Sequence, residues 1–224
     1  MSQSVKILNI EPVTHNVRRY VVERPEGYRF EPGQATELSL DEEGWRDKKH
    51  PFTFTKPDAE GPLEFTIKSY FDTDGDGMTE RLWSYEPGQS LILRDPWGTI
   101  TYKGPGTFIA GGAGVTPFIA ILRDLNEHNK LDGHRLIFSN AKAKDIILRE
   151  EFEAMDGLDC VWTVTDDPDA DGVLHERIDE GFLRAHVHDV SQHFYLCGPD
   201  DMVKDLRDAL EGLGAETDAL TWEE

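Results

Sequence analysis

The chain changes its sequence pattern near residue 104, and no other feature restricts its fold as strongly. Before that point six short stretches, 5–13, 17–25, 35–40, 51–56, 63–70 and 90–95, are rich in β-branched or aromatic residues and separated by Pro/Gly turns. That is the pattern of short strands, and one helical piece, 79–84, interrupts it. The tetrapeptide Glu31-Pro32-Gly33-Gln34 recurs as Glu86-Pro87-Gly88-Gln89, each just ahead of a strand. Proline fixes φ and glycine allows φ > 0, so this is repeated turn chemistry rather than a repeat architecture. Short strands with tight turns predict an antiparallel β-barrel over residues 1–104.

After residue 104 the pattern alternates. Strand-type stretches at 107–110, 135–139, 160–165 and 193–196 are followed by helical ones at 117–129, 147–155, 178–185 and 200–213. Alternation of this kind predicts an α/β domain over residues 105–224, a parallel sheet with helices on both faces. The 224 residues suffice for two domains of about 100 residues each.

The net charge of −21 excludes nucleic acid and anionic membrane surfaces as expected partners, because both require a basic footprint. The acidity is uneven. Residues 1–104 carry 13 Lys and Arg against 18 Asp and Glu, whereas residues 105–224 carry 10 against 26. It reads as solubility or adaptation to high salt, or as a steering field for a basic partner. Cys160 and Cys197 are the only cysteines and form no CxxC, so neither a disulfide framework nor a cysteine-ligated iron–sulfur cluster has a ligand set. No apolar run reaches the ~20 residues of a membrane span. The first residues lack a signal-peptide apolar region, and a cytoplasmic location is expected.

Phe108-Ile109-Ala110 runs directly into Gly111-Gly112-Ala113-Gly114-Val115-Thr116-Pro117. Glycines let a backbone turn sharply and approach an anion. A helix N-terminus offers unpaired N–H groups, and proline in its first turn gives up a donor that had no partner. An ordinary β–α turn also uses glycines; the strand before and the helix after point to a bound phosphate. The dinucleotide fingerprint G-x-G-x-x-G is absent, since Pro117 stands at its last position.

This turn resembles the GxGxxP turn of the ferredoxin–NADP reductase family, where it cradles the nicotinamide dinucleotide pyrophosphate, so the resemblance assigns Gly111, Gly112, Gly114, Val115, Thr116 and Pro117 to the nucleotide. The resemblance extends over nearly the whole chain. His50-Pro51-Phe52-Thr53 is similar to the family's flavin motif Arg-x-Tyr/Phe-Ser/Thr, which implies that Phe52 lies against the flavin and that the Thr53 hydroxyl reaches flavin N5. His50 departs from the motif, since imidazole does not replace an always-charged fork donor; Lys48 or Lys49 is the alternative source of charge. Thr66-Ile67-Lys68-Ser69-Tyr70 resembles the strand bordering the flavin ring, so Ile67, Lys68 and Tyr70 are assigned there. Gly77-Met78-Thr79 resembles the Gly-x-Ser/Thr that meets the flavin pyrophosphate. Cys197-Gly198-Pro199 resembles the Cys-Gly-Pro that lines the nicotinamide site. Asn140, with Lys142 and Lys144 nearby, falls where the adenosine ribose is expected, and Trp222 falls near the chain end, where some relatives place an aromatic over the flavin. Asp72-Thr73-Asp74-Gly75-Asp76-Gly77 has a calcium-loop look, but Trp83 occupies the position of the bidentate Glu, and no metal site is expected.

The resemblance implies an FAD-dependent NAD(P)H oxidoreductase. A hydride from NADH or NADPH reaches FAD, with Thr53 and Cys197 at the reacting centre, and electrons then leave for an unidentified acceptor, a small molecule or a redox protein. Two alternatives stand beside it: a flavin reductase that uses free flavin as substrate, and an electron-transfer or regulatory subunit of a larger redox complex.

Overall fold

The computed structural model describes residues 2–57, 60–71, 77–98 and 100–222. Its first half is a six-stranded antiparallel sheet. The strands are β1 (Ser2–Pro12), β2 (Val17–Val22), β3 (Gln34–Leu40), β4 (His50–Thr53), β5 (Leu63–Lys68) and β6 (Ser90–Gly98), in the order β4-β3-β6-β1-β2-β5. The sheet curls so that its two edges meet: the Thr55 N–H, just past β4, donates to the Glu64 carbonyl of β5 at 3.0 Å. Alternate side chains fill the interior, among them Ile7, Tyr20, Leu38 and Phe65, with the Phe30 ring stacked on Phe54 at 3.9 Å. Helix α1 (Met78–Trp83) follows β5 and buries Met78 and Leu82.

The twin tetrapeptides form twin turns. In each, the Gln N–H donates to the Glu carbonyl and the Gln side chain accepts the Glu N–H. Gly33 and Gly88 sit at φ +92° and +99°, where glycine avoids the steric penalty on a Cβ. Gly33 has a further reason to be glycine, because a Cβ there would come within 2.1 Å of the Ile100 carbonyl.

The second half is a five-stranded parallel sheet built from β7 (Gly106–Gly111), β8 (His134–Asn140), β9 (Leu158–Val164), β10 (His193–Cys197) and β11 (Leu220–Trp222), in the order β11-β10-β7-β8-β9. Helices α2 (Thr116–Glu127), α3 (Arg149–Glu153), α4 (Glu180–His186) and α5 (Asp200–Leu213) alternate with the strands. β7 is central and buried along its whole length, as a strand covered on both faces must be. One cluster, around Phe118, Leu122 and Phe152, packs on one face; the other, around Leu183, Leu206 and Leu210, packs on the opposite face.

The expected architecture is the observed one, with two local differences. The helix expected from residue 147 begins at Arg149, because Leu148 adopts a left-handed φ of 54° while Ile146 and Ile147 turn into the core. β11 has no counterpart in the sequence reading; three residues are too few to show a period, and the strand exists because it pairs with Phe194–Leu196 of β10.

The chain passes from one sheet to the other under tight restraint. The Tyr195 hydroxyl accepts the N–H groups of Lys103 and Gly104 and donates to the Gly104 carbonyl, at 2.7–3.0 Å. The Tyr102 hydroxyl lies 2.9 Å from buried His134.

Candidate active site

Parallel strands place the loops after their carboxyl ends together, and here those loops face the curled sheet across a cavity of about 1040 Å³. From the first half, β4 contributes His50, Pro51, Phe52 and Thr53, β5 contributes Thr66, Ile67 and Lys68, and Tyr70, Gly77, Met78 and Thr79 follow. From the second half come Gly111 at the end of β7 with Gly112, Ala113, Gly114 and Thr116 after it, Ser139 and Asn140 at the end of β8, and Cys197 at the end of β10 with Gly198 and Pro199 after it. Segments far apart in sequence and singled out separately thus line one space.

Two assigned residues do not reach it. Val115 is fully buried in the core below, and Pro117 is buried in the first turn of α2. They shape the turn rather than line the cavity. Ser69 also points away: its N–H donates to the Asn16 carbonyl and its hydroxyl to the Thr79 carbonyl. Ala141, Asp145, Thr165 and Met202 line the cavity without having been expected. They lie in loops after β8 and β9 and in α5, and no motif marks them. Lys142 and Lys144 are not part of the lining. Trp222 lies in β11, with its ring under the Arg207 guanidinium at 3.6 Å, outside the lining. Residues 72–76 of the calcium-like segment fall outside the described residues.

The glycines of the turn divide by role. A Cβ on Gly114 would meet the Cys197 carbonyl oxygen at 2.3 Å and the Gly198 nitrogen at 2.6 Å, and one on Gly111 would meet the Met202 sulfur at 2.6 Å. These two let the β7 and β10 loops pack against each other. Gly112 differs: at φ +53° a Cβ would find nothing within 4 Å, so its face toward the cavity is open backbone.

Two buried polar atoms in the wall have no hydrogen-bond partner among the described residues: the Thr53 hydroxyl and the Asn140 side-chain nitrogen. Both residues are nearly buried, at 7% and 6% exposure. An unpaired buried polar group costs about 1–3 kcal/mol, so both are suited to a polar ligand between the walls. Among the described residues, charge at the cavity is sparse. His50 is exposed and Lys68 half-buried, with its ammonium 5.6 Å from the Tyr70 ring centre. Lys48 lies 4.1 Å over the Trp45 ring and Lys49 pairs with Glu37 at 3.7 Å; neither joins the lining. From the second half, Asp145 is the only charged side chain in the lining among the described residues, 3.6 Å from the His15 ring.

The same two halves appear in known proteins. An oxidoreductase FAD-binding domain model matches residues 4–102, and an oxidoreductase NAD-binding domain model matches residues 108–208. The chain belongs to the ferredoxin reductase-like family. Among its relatives, NADH-cytochrome b5 reductase 2 of Mycosarcoma maydis is 27% identical over 217 residues, covering 87% of this chain and 61% of its own. Ferredoxin–NADP reductase B of Sorangium cellulosum is 27% identical over 226 residues, covering 92% and 90%. The flavohem-like FAD/NAD-binding domain of a Vibrio cholerae nitric oxide dioxygenase superposes with a TM-score of 0.88 at 22% identity, covering 99% and 97%, and shows the shared fold. The chain spans 61% and 62% of the length of two curated relatives it matches. FAD and a nicotinamide nucleotide are the cofactors of this family member, and the open Gly112 backbone and the two unpaired polar atoms suit such ligands. No described helix is long and apolar enough to cross a membrane.

Proposed function

We propose that this chain oxidises NADH and passes the electrons through FAD to an acceptor, with residues 1–104 holding the flavin and residues 105–224 presenting the nucleotide. The observation that carries this reading is the Thr53 hydroxyl, buried and unpaired in the same cavity wall that faces Cys197 and the glycine turn. Bound FAD supplies the redox chemistry, taking a hydride from the nicotinamide and releasing electrons to an acceptor. Thr53 would meet flavin N5. Its hydroxyl donates to an unprotonated nitrogen and accepts from a protonated one, so it serves both redox states without moving. Phe52, Ile67 and Tyr70 would border the flavin, Gly77–Thr79 its pyrophosphate, and Gly112 with Thr116 the nucleotide's pyrophosphate. Cys197, Gly198 and Pro199 would border the nicotinamide.

Asp145 favours NADH over NADPH. Among the described residues the second-half lining carries this carboxylate and no cation, so the additional phosphate of NADPH meets repulsion without a counter-charge from that wall. At partly solvated separations that is on the order of 1 kcal/mol, about five-fold. Steady-state kinetics on Asp145→Asn should show kcat/KM for NADPH rising about five-fold, with NADH little changed; a proportional change for both would remove Asp145 from the choice.

His50 supports a second reading, that of a flavin reductase with loosely held FAD. It stands where the resemblance puts an arginine, and neither Lys48 nor Lys49 lines the cavity. The flavin content of the purified protein decides between them: a full complement supports a resident cofactor, and a colourless protein that turns over added flavin supports the second reading. The acceptor, small molecule or redox protein, follows from the salt dependence of its reduction. An acidic acceptor should be met faster as salt rises, given the net charge of −21.

A further inference from the structure

The two cavity walls belong to different sheets, so something must hold their separation. We propose that Arg123 is a positioning residue that fixes the nucleotide wall against the flavin wall. Arg123 lies on α2, the helix that opens at the glycine turn. Its Nη1 donates to the Thr55 carbonyl at 2.7 Å and to Glu64 Oε1 at 2.6 Å, both on the curled sheet. Its Nε and Nη2 grip the two carboxylate oxygens of Glu151, on α3, at 2.5 and 2.9 Å. One guanidinium therefore joins three separate segments.

The far side of this hub reaches the cavity. The Thr55 hydroxyl donates to Glu64 Oε1 at 2.9 Å, and the Thr66 hydroxyl donates to the Thr55 hydroxyl at 3.2 Å. Thr66 lines the cavity, and Thr55 lies two residues past Thr53. A continuous run of hydrogen bonds thus links the helix behind the glycine turn to the wall that carries Thr53. The Arg123 and Glu64 side chains are only 14% and 12% exposed, which limits screening by water. Burial works against the Arg123 charge, but its bonds to Glu151 and the charges of Glu64 and Glu151 outweigh burial and hold its pKa above the usual value.

A buried ion pair is poor evidence for stability, since desolvation offsets most of the attraction. What a planar fork adds is direction: two carboxylates and a carbonyl are held at fixed angles, which an ammonium on a flexible stem does not reproduce. Hydride transfer is the step most exposed to a loss of direction, because a misplacement of about 1 Å costs on the order of 100-fold in rate.

The inference rests on the hydride-transfer reading, and its test has one arm that does not. In the first arm, spin-labelled unnatural residues at the exposed positions 47 and 144 report the distance between the halves by pulsed electron resonance, without substrate. Arg123→Lys should broaden a narrow distribution. In the second arm, FAD and NAD+ affinities and KM for NADH should stay within about two-fold while flavin reduction slows at least about 10-fold. Glu64→Gln, which keeps an acceptor, should retain most of the rate, and Glu64→Ala should behave like Arg123→Lys; these two carry the test should Arg123→Lys not fold. An unchanged distance distribution, or a rate loss matched by an equal loss of FAD affinity, overturns the proposal. Failure of the unsubstituted protein to reduce its flavin overturns the functional reading and leaves the distance arm standing.

Discussion

The two walls of the cavity offer a ligand different surfaces. The wall from the curled sheet uses side chains: the Thr53 hydroxyl, the Phe52 ring, and Lys68 and His50 at its margins. The wall from the parallel sheet is built around two glycine-containing loops pressed together, with Thr116, Ser139, Asn140, Asp145 and Thr165 as polar side chains around them. A flavin that stays through many turnovers is suited to fixed side-chain contacts. A nucleotide that enters and leaves at each turnover is suited to open backbone. The charge follows the same division, with most of the acidity on residues 105–224.

Substitutions on each wall separate these roles. The largest effect is expected from Gly114→Ala. Its Cβ would collide with backbone atoms of Cys197 and Gly198, so one loop must move; overpacking costs about 1–3 kcal/mol, and displacement of the nicotinamide wall should slow flavin reduction by on the order of 100-fold. Thermal unfolding and stopped-flow reduction would show both losses. Gly112→Ala sharpens the contrast. Its left-handed φ adds about 1–2 kcal/mol of strain, but no atom stands in the way. Melting should fall modestly and nucleotide affinity more, read by titration with NAD+. Equal damage from the two alanines would dissolve the distinction between loop packing and ligand approach.

Thr53→Val tests the other wall, with a smaller effect expected. Removing a hydroxyl that has no partner among the described residues relieves an unpaired buried group, so the FAD-free protein should melt no lower than the unsubstituted one. Loss of one hydrogen bond to the ring, about 0.5–1.5 kcal/mol, should slow flavin reduction by roughly 2- to 12-fold. An unchanged rate removes Thr53 from the reacting centre. The smallest effect is expected from His50→Arg. A charged fork donor at the cavity margin should tighten FAD binding by a few-fold, since a charge-assisted bond is about twice as strong as a neutral one. Unchanged affinity by fluorescence titration would mean the flavin phosphate is held elsewhere.

Most of the architecture was legible in the sequence because both patterns are periodic and long. Alternation of strand and helix after residue 104 dictates a parallel sheet, and the paired Pro-Gly turns dictate where strands begin. β11 was not legible, as it owes its existence to β10 rather than to its own residues. At the site, the glycine turn and Cys197-Gly198-Pro199 are visible as separate motifs, but not their mutual packing, which sets Gly114 against Cys197 and Gly198. The resemblance places Val115 and Pro117 in the nucleotide turn, and the fold directs their side chains into the core. Asp145 and Thr165 carry no local signal, since only the order of the parallel strands brings their loops to the cavity. Arg123 looks in sequence like any exposed helix cation; its burial against Glu64 depends on how the two sheets sit together.

Under the proposed function both walls serve one hydride transfer. Anaerobic stopped-flow mixing of the FAD-loaded protein with NADH or NADPH, following the yellow flavin band, tests it most directly. Rapid bleaching with NADH and slower bleaching with NADPH are expected. A flavin that stays oxidised with both nucleotides would contradict the proposed function.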